Sequence, residues 1–261
     1  MSKKSNGYII YEGPSELDGK PIVVIATGFS DKSENIKTGA LIQVWIIRSD
    51  ISPLAATHSG EDSSICGDCR HRGILELQED GGTRNKLRVC YVLEFQAPLA
   101  IYRAYKRGSY VNAAQWSAEE RCQLFADRVV RMGAYGDPAA APERVWALVT
   151  ASATRWVGYT HQWEALPEDS FLKTILMASA DSLAEASKAQ SMGWRTFRVG
   201  ESPEPGEVSC PASAEMGKRV KCADCGLCAG AFRQAKNITI QPHGNRVLSV
   251  RKRASRRLVT V

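Results

Sequence analysis

Two groups of cysteines carry the most specific chemistry in this chain. Cys210-Pro211 is followed by Cys222, Cys225 and Cys228, giving C-P-x10-C-x2-C-x2-C. Upstream, Cys66 and Cys69 form a C-x2-C pair, and Cys90 follows after 20 intervening residues. A lone free cysteine is ordinarily a small core hydrophobe, but three within seven residues point to a shared ligand. Structural zinc sites usually gather two separated pairs around a tetrahedral ion. A C-x2-C-x2-C run with a remote Cys-Pro is instead the pattern of ferredoxin-type [4Fe–4S] ligation, although there the remote cysteine can serve a second cluster. An iron–sulfur cluster is therefore the expected cofactor, with zinc as the alternative and His243 able to replace one thiolate on zinc. The first group has three thiols and no obvious fourth. Either His58 or His71 completes a zinc site, or a cluster binds there with one iron open to substrate or S-adenosylmethionine. Cys122 lies in a helical stretch beside Leu124 and Phe125 and reads as core.

These residues need elements to hold them. PIVVIAT (21–27) and LIQVWIIRSD (41–50) read as strands, the second apolar enough to be buried on both faces. LQEDGGTRNK reads as a hairpin or exposed loop, and CYVLEFQAP (90–98) begins as a strand. LAIYRAYKRGSY and 117–130 are helical, with Ser117 and Glu120 forming a capping box. Downstream, strands at 129–138, 154–163, the end of 171–181, 194–202 and 237–244 alternate with helices at 142–152 and 182–193. That alternation predicts an α/β fold with a parallel sheet. The expected form is a full or partial (β/α) barrel with a cysteine-rich C-terminal metal-binding segment, and an open doubly wound sheet is the alternative. One domain, 1–245, takes in the cysteine-rich segment 206–232, and 246–261 is a basic tail. In such folds ligands bind at the carboxyl ends of the strands. Asp50, Asp137 and His161 stand there and are the candidate catalytic groups. Asp137, before Pro138, equally suits a helix cap, and Asp181, before Ser182, reads more readily as a cap than as a site residue.

Composition narrows the function classes. The chain is 44% apolar and 24% charged, as expected of a globular protein. The opening MSKKSNGYIIYEG has no apolar run of signal-peptide length, so a cytoplasmic location is expected, with the cysteines reduced. Of the net charge of +6, all six charges come from Arg246, Arg251, Lys252, Arg253, Arg256 and Arg257, leaving the body at zero (6 − 6). The tail is thus the expected contact for nucleic acid, and no membrane partner is expected. There is no G-x4-G-K-[ST], no G-x-G-x2-G after a strand, no G-x-S-x-G and no H-E-x2-H, which disfavours P-loop nucleotide hydrolysis and serine-hydrolase chemistry.

ICGDCRHRG with CYVLEFQAP, GYTHQW, MASADS, GWRTFRV and CADCGLCAG ahead of ITIQPHG resembles a set of phage and mobile-element proteins related to mycobacteriophage gene product 88. The resemblance runs from about Lys37 to His243 and implies a phage-encoded protein in a bacterial cytoplasm, without supplying an activity. A second, partial likeness is to the guanine transglycosylases and their DNA-modifying phage relatives. Those are (β/α) barrels with strand-end aspartates and a C-terminal C-x-C-x2-C…His zinc site, where this chain has C-x2-C-x2-C. A third is to radical S-adenosylmethionine enzymes, which place a three-cysteine loop after an early barrel strand. Their C-x3-C-x2-C is replaced here by Cys66, Cys69 and the displaced Cys90. Together these predict a cysteine-ligated metalloenzyme acting on nucleic acid, with DNA base modification as the reaction. The competing expectation is a metal-stapled nucleic-acid binder of phage or plasmid replication or regulation.

Overall fold

The computed structural model describes residues 5–30, 38–79 and 81–242. Strands β1 (Gly7–Pro14) and β2 (Pro21–Thr27) pair as an antiparallel hairpin, and β2 pairs antiparallel with β3 (Ile42–Arg48). The β-branched run Ile22–Ile25 and the residues Ile42, Ile46 and Ile47 are fully buried, which makes these strands the floor of the core. After β3 come α1 (Pro53–Ser59), capped by Ser52 with Pro53 in its first turn, and the single turn α2 (Ser63–Cys66). The predicted hairpin forms as β4 (Ile74–Leu77) and β5 (Thr83–Lys86), a separate two-stranded sheet. Then follow α3 (Ala97–Lys106), β6 (Val111–Asn112), α4 (Ala118–Gln123) and β7 (Val129–Tyr135). The remaining elements are α5 (Glu143–Ser152), β8 (Arg155–Thr160), α6 (Phe171–Ile175), β9 (Met177–Ala180), α7 (Leu183–Ser191) and β10 (Thr196–Val199). They end with β11 (Glu207–Ser209), α8 (Cys222–Cys225) and β12 (Asn237–Ile240).

Ten strands form one mixed, mostly parallel sheet in the order β11-β12-β10-β9-β8-β7-β3-β2-β1-β6. Along the sheet β3, β7, β8, β9 and β10 follow one another on the same side, each parallel to the last, while β6 adds at the far edge beside β1. Right-handed crossovers then place α5, α6 and α7 on one face. The expected barrel does not close. The outer edge of β3, which a closing strand would need, is taken by β2, and that of β12 by β11.

Side chains alternate across the strands and give the two faces separate cores. On the helix side Trp146, Trp156, Leu172 and Ile175 join the main core, and the Trp146 and Trp156 indoles donate to Pro138 O and Ile175 O. On the other side Val157, Met177, Ile238 and Ile240 pack against Cys210, Ala212 and Cys228. The cysteine-rich segment is thus a lid on the second face of the sheet.

Two local expectations are corrected. Residues 90–96 form no strand: Val89 N and Cys90 N donate to the carbonyl of His71, which ties this stretch to the cysteine loop instead of a sheet edge. The helix expected over 117–130 keeps its capping box but stops at Gln123, because Asp127 takes a positive φ of 60° and turns the chain into β7. Within β7, Gly133 has φ 69° at a register shift against β3. This bulge re-aims the residues that follow, Tyr135 and Asp137, and a Cβ on Gly133 would meet Gly136 O at 2.7 Å.

Candidate metal centres at the strand ends

The first cysteine loop leaves β3 and is held by a buried carboxylate that sequence reasoning passed over. Asp62, fully buried, accepts from Arg72 Nε (3.0 Å) and Nη2 (2.8 Å) and from Arg88 Nη1 (3.2 Å). Arg72 also donates to the carbonyls of Gly60 and Gly67. Asp62 stands in Gly60-Glu61-Asp62-Ser63-Ser64, a context indistinguishable in sequence from a surface turn.

This anchored loop lies across the carboxyl ends of β7, β8 and β9. Asp137 N donates to Ile65 O at 2.6 Å. Gln162, just beyond β8, donates through Nε2 to Cys66 O (3.1 Å) and accepts through Oε1 from Asp68 N (3.4 Å). Gly67 is needed for that clip: it has φ 51°, and a Cβ there would meet the Gln162 carboxamide at 2.3 Å. Arg70 pairs with Glu185, whose Oε2 accepts from Asp181 N at 2.8 Å.

Here the thiols meet the strand-end polar groups. Burial pushes the Cys66 thiol well up, and Asp62, Cys69 and Cys90 add to the effect. The Cys69 thiol is also raised, chiefly by burial, with Asp181 and Asp137 adding to that and His71 opposing it. The first cysteine group and the strand-end acids therefore occupy one neighbourhood. Such crowded, buried thiols become thiolates only beside a positive charge, and thiolates select thiophilic metals. Cys66, Cys69 and Cys90 fit an iron–sulfur cluster or zinc on that ground.

The candidate catalytic residues divide. Asp137 and His161 are brought together: Asp137 Oδ2 accepts from His161 N at 2.7 Å, and Oδ1 caps Ala139 N at 3.0 Å. Asp137 is thus both cap and site residue, and burial, outweighing the field of His161, raises its carboxyl above the ordinary range. Asp50 is not brought there. Arg48 grips it with Nε at 3.0 Å and Nη2 at 2.7 Å, and this holds its carboxyl below the usual range.

Asp181 is in the site, contrary to the cap expected of it. Ser182 caps α7 by accepting from Glu185 N, which frees the Asp181 side chain to meet His71 Nε2 at 2.9 Å. Burial would raise Asp181, but the His71 hydrogen bond and the fields of His71, His161 and Arg70 bring it down to about 2. The rings of His71 and His161 have centroids 5.4 Å apart. His58, the other candidate for completing the first group, is exposed at the end of α1. His71 was legible only as one of these two histidines, since nothing local marks its partner 110 residues away.

The second group sits on the opposite face of the sheet. The Cys228 thiol is pushed up by burial, with Cys210, Cys222 and Cys225 adding to it, and the Tyr159 hydroxyl donates to its sulfur. Cys210 N is bonded to Thr239 O (2.8 Å) and Cys228 O accepts from Gly158 N (3.0 Å), which fixes both ends of the segment to the sheet. All four cysteines lie within one electrostatic neighbourhood and fit the same thiophilic metals. His243 lies outside the described residues, as does the basic tail.

Where the start of α3 meets β2, β3 and β7 lies a cavity of about 460 Å³ lined by Gln43, Trp45, Tyr91, Gln96 and Arg131. Arg131 donates to the Tyr91 hydroxyl at 2.8 Å and lies in the field of Cys222, so its guanidinium stands between the two cysteine groups. Comparison with known proteins finds no matching family model, no matching curated protein and no matching solved structure.

Proposed function

We propose that this protein is a cysteine-ligated metalloenzyme that modifies a base in nucleic acid. In this reading the first cysteine group is the reactive centre and the second is a structural staple. The observation that carries the proposal is the docking of the Cys66–Cys69 loop on the strand ends, where Asp137, His161 and Asp181 converge beside buried thiols. A purely structural metal would not need titratable groups gathered beside it, whereas a reactive centre does.

Cys66, Cys69 and Cys90 would hold the group, an iron–sulfur cluster in the first instance and zinc in the second. When bound it would supply either an open iron for substrate or S-adenosylmethionine, or a Lewis acid. The chain's own residues do the rest. Asp137, whose carboxyl burial raises, is the group placed to hold a proton, and by accepting from the backbone N–H of His161 it fixes the chain that carries that ring. The cavity is within the size range of small-ligand sites. Trp45 and Tyr91 offer rings, and Gln43, Gln96 and Arg131 offer polar groups, for a flat heterocycle drawn out of a strand. The phage origin and the tail as the contact for nucleic acid are parts of the same proposal.

The test is anaerobic purification with iron, zinc and sulfide assays, followed by mass spectrometry of nucleosides digested from phage DNA. Infected cells expressing the parent protein should yield a modified nucleoside, and cells expressing His161→Ala should not. An unmodified profile already present with the parent would overturn the enzyme reading and leave a metal-stapled nucleic-acid binder.

A further inference from the structure

We propose that His71, His161 and Asp181 form a second metal site in the same neighbourhood, distinct from the cysteine groups and built for one divalent transition-metal ion. Among the described residues, their three ligand atoms all lie within 4.8 Å of one another. A metal with bonds of about 2.0–2.1 Å to nitrogen and oxygen sets its tetrahedral ligands some 3.3 Å apart, so binding would draw His161 in and part His71 from Asp181 slightly. His71 and Asp181 already stand closer than that, at 2.9 Å.

The bland alternative is a His71–Asp181 ion pair with His161 merely packed beside it. That pair explains two of the members and leaves the third without a purpose. His161 Nε2 is buried and, among the described residues, has no hydrogen-bond partner. A buried nitrogen left without a partner is costly unless something satisfies it. Satisfaction by a metal accounts for all three residues at once, and the metal would replace the hydrogen bond between His71 and Asp181.

The trio is also held as ligands are held. Asp137 fixes the backbone of His161, Glu185 accepts from the backbone N–H of Asp181, and the carbonyl of His71 receives the N–H groups of Val89 and Cys90. The three ligands come from three places: the cysteine loop, the end of β8 and the end of β9. These backbone bonds fix the chain positions from which the three side chains reach toward one point. Two imidazoles and a carboxylate are the set used by catalytic zinc and by non-haem iron(II), both of which leave a position for water or substrate. The proposal stands on this geometry alone and does not depend on the nucleic-acid reading.

The test uses the full chain. After chelator treatment that leaves cysteine-bound metal and sulfide in place, cobalt(II) is added and followed by its visible ligand-field bands. The parent should take up one further equivalent without sulfur-to-cobalt charge transfer. Asp181→Asn and His161→Ala should each weaken that uptake at least tenfold to a hundredfold, the loss seen when even an outer contact is removed, while iron and sulfide stay unchanged. Equal uptake by the parent and both variants overturns the site, as does a parent that takes up no further ion. X-ray absorption at the cobalt edge on the loaded parent needs no variant to fold. A shell of nitrogen and oxygen supports the proposal, and sulfur in it overturns it.

Discussion

At the scale of single residues, charge buried without solvent decides most of what can be tested. Asp62 is fully buried and neutralises two arginines, and Arg88 beside it is only 7% exposed. Removing one member of such a network leaves the others uncompensated and costs about 3–5 kcal/mol. Asp62→Ala is therefore expected to release the first cysteine loop: urea unfolding should show that loss, and metal bound at Cys66, Cys69 and Cys90 should fall with it. Glu207 makes the matching case at the far edge of the sheet. It pairs with Arg198 at 2.6 Å, both side chains are nearly inaccessible, and Thr239 also donates to it. Burial pushes the Glu207 carboxyl up, but the Arg198 and Thr239 hydrogen bonds and the Glu204 N–H outweigh it and leave it below its ordinary value. Because the folded value is depressed, its contribution is present above the unfolded value of about 4.3 and is lost as the pH falls through the lower folded value. Glu207→Gln should cost about 3–5 kcal/mol at pH 7, and the gap from the parent should shrink below about pH 4. A gap that stays constant down to pH 3 would show that the pair adds nothing through its charge.

At the scale of elements, the two cysteine segments differ in what lies beneath them. The Cys210–Cys228 segment covers Val157, Met177, Ile238 and Ile240, so the segment closes the apolar second face of the sheet, and a metal bound to it would hold that cover in place. The Cys66–Cys90 loop rests on polar strand ends and is tied by Asp62 and Gln162 as well as by any metal. Binding and folding are coupled most tightly where a metal site has no other support. Cys225→Ser is thus expected to lower Tm sharply and to raise binding of a hydrophobic dye. Cys66→Ser should lose metal from a body that still melts cooperatively near the parent. If Cys225→Ser melts like the parent, the lid is held by packing alone.

At the scale of the molecule, charge and architecture are separate layers. Six positive charges fall within the last sixteen residues, outside the described structure, and the body is neutral. Among the described residues no helix is long and apolar enough to cross a membrane. If all six tail charges meet phosphates, deleting 246–261 should flatten the log–log salt dependence of duplex binding by roughly 5, at about 0.9 per phosphate. An unchanged slope would make the tail a solubilising appendage.

Local pattern was enough for a good part of this. The alternating strands and helices after Val129, the hairpin or loop over 77–86 and the capping box at Ser117 follow from periodicity and turn chemistry, which act over a few residues. The grouping of Cys66 with Cys69 and Cys90, and of Cys210 with Cys222, Cys225 and Cys228, was legible because spacing is itself a sequence property, and the thiols of each group do share one neighbourhood. The open edge was not legible, since whether β3 accepts β2 or a closing strand depends on pairing between distant segments. Asp50 and Asp137 look alike in sequence, each an acid at a strand end. Arg48, two residues away, claims the first, while the bulge at Gly133 and the docked loop bring the second to His161. The roles of Asp62, His71 and Asp181 arise only when the cysteine loop folds back onto β8 and β9. Contacts across 110 residues leave no local pattern, so tertiary structure alone decides them.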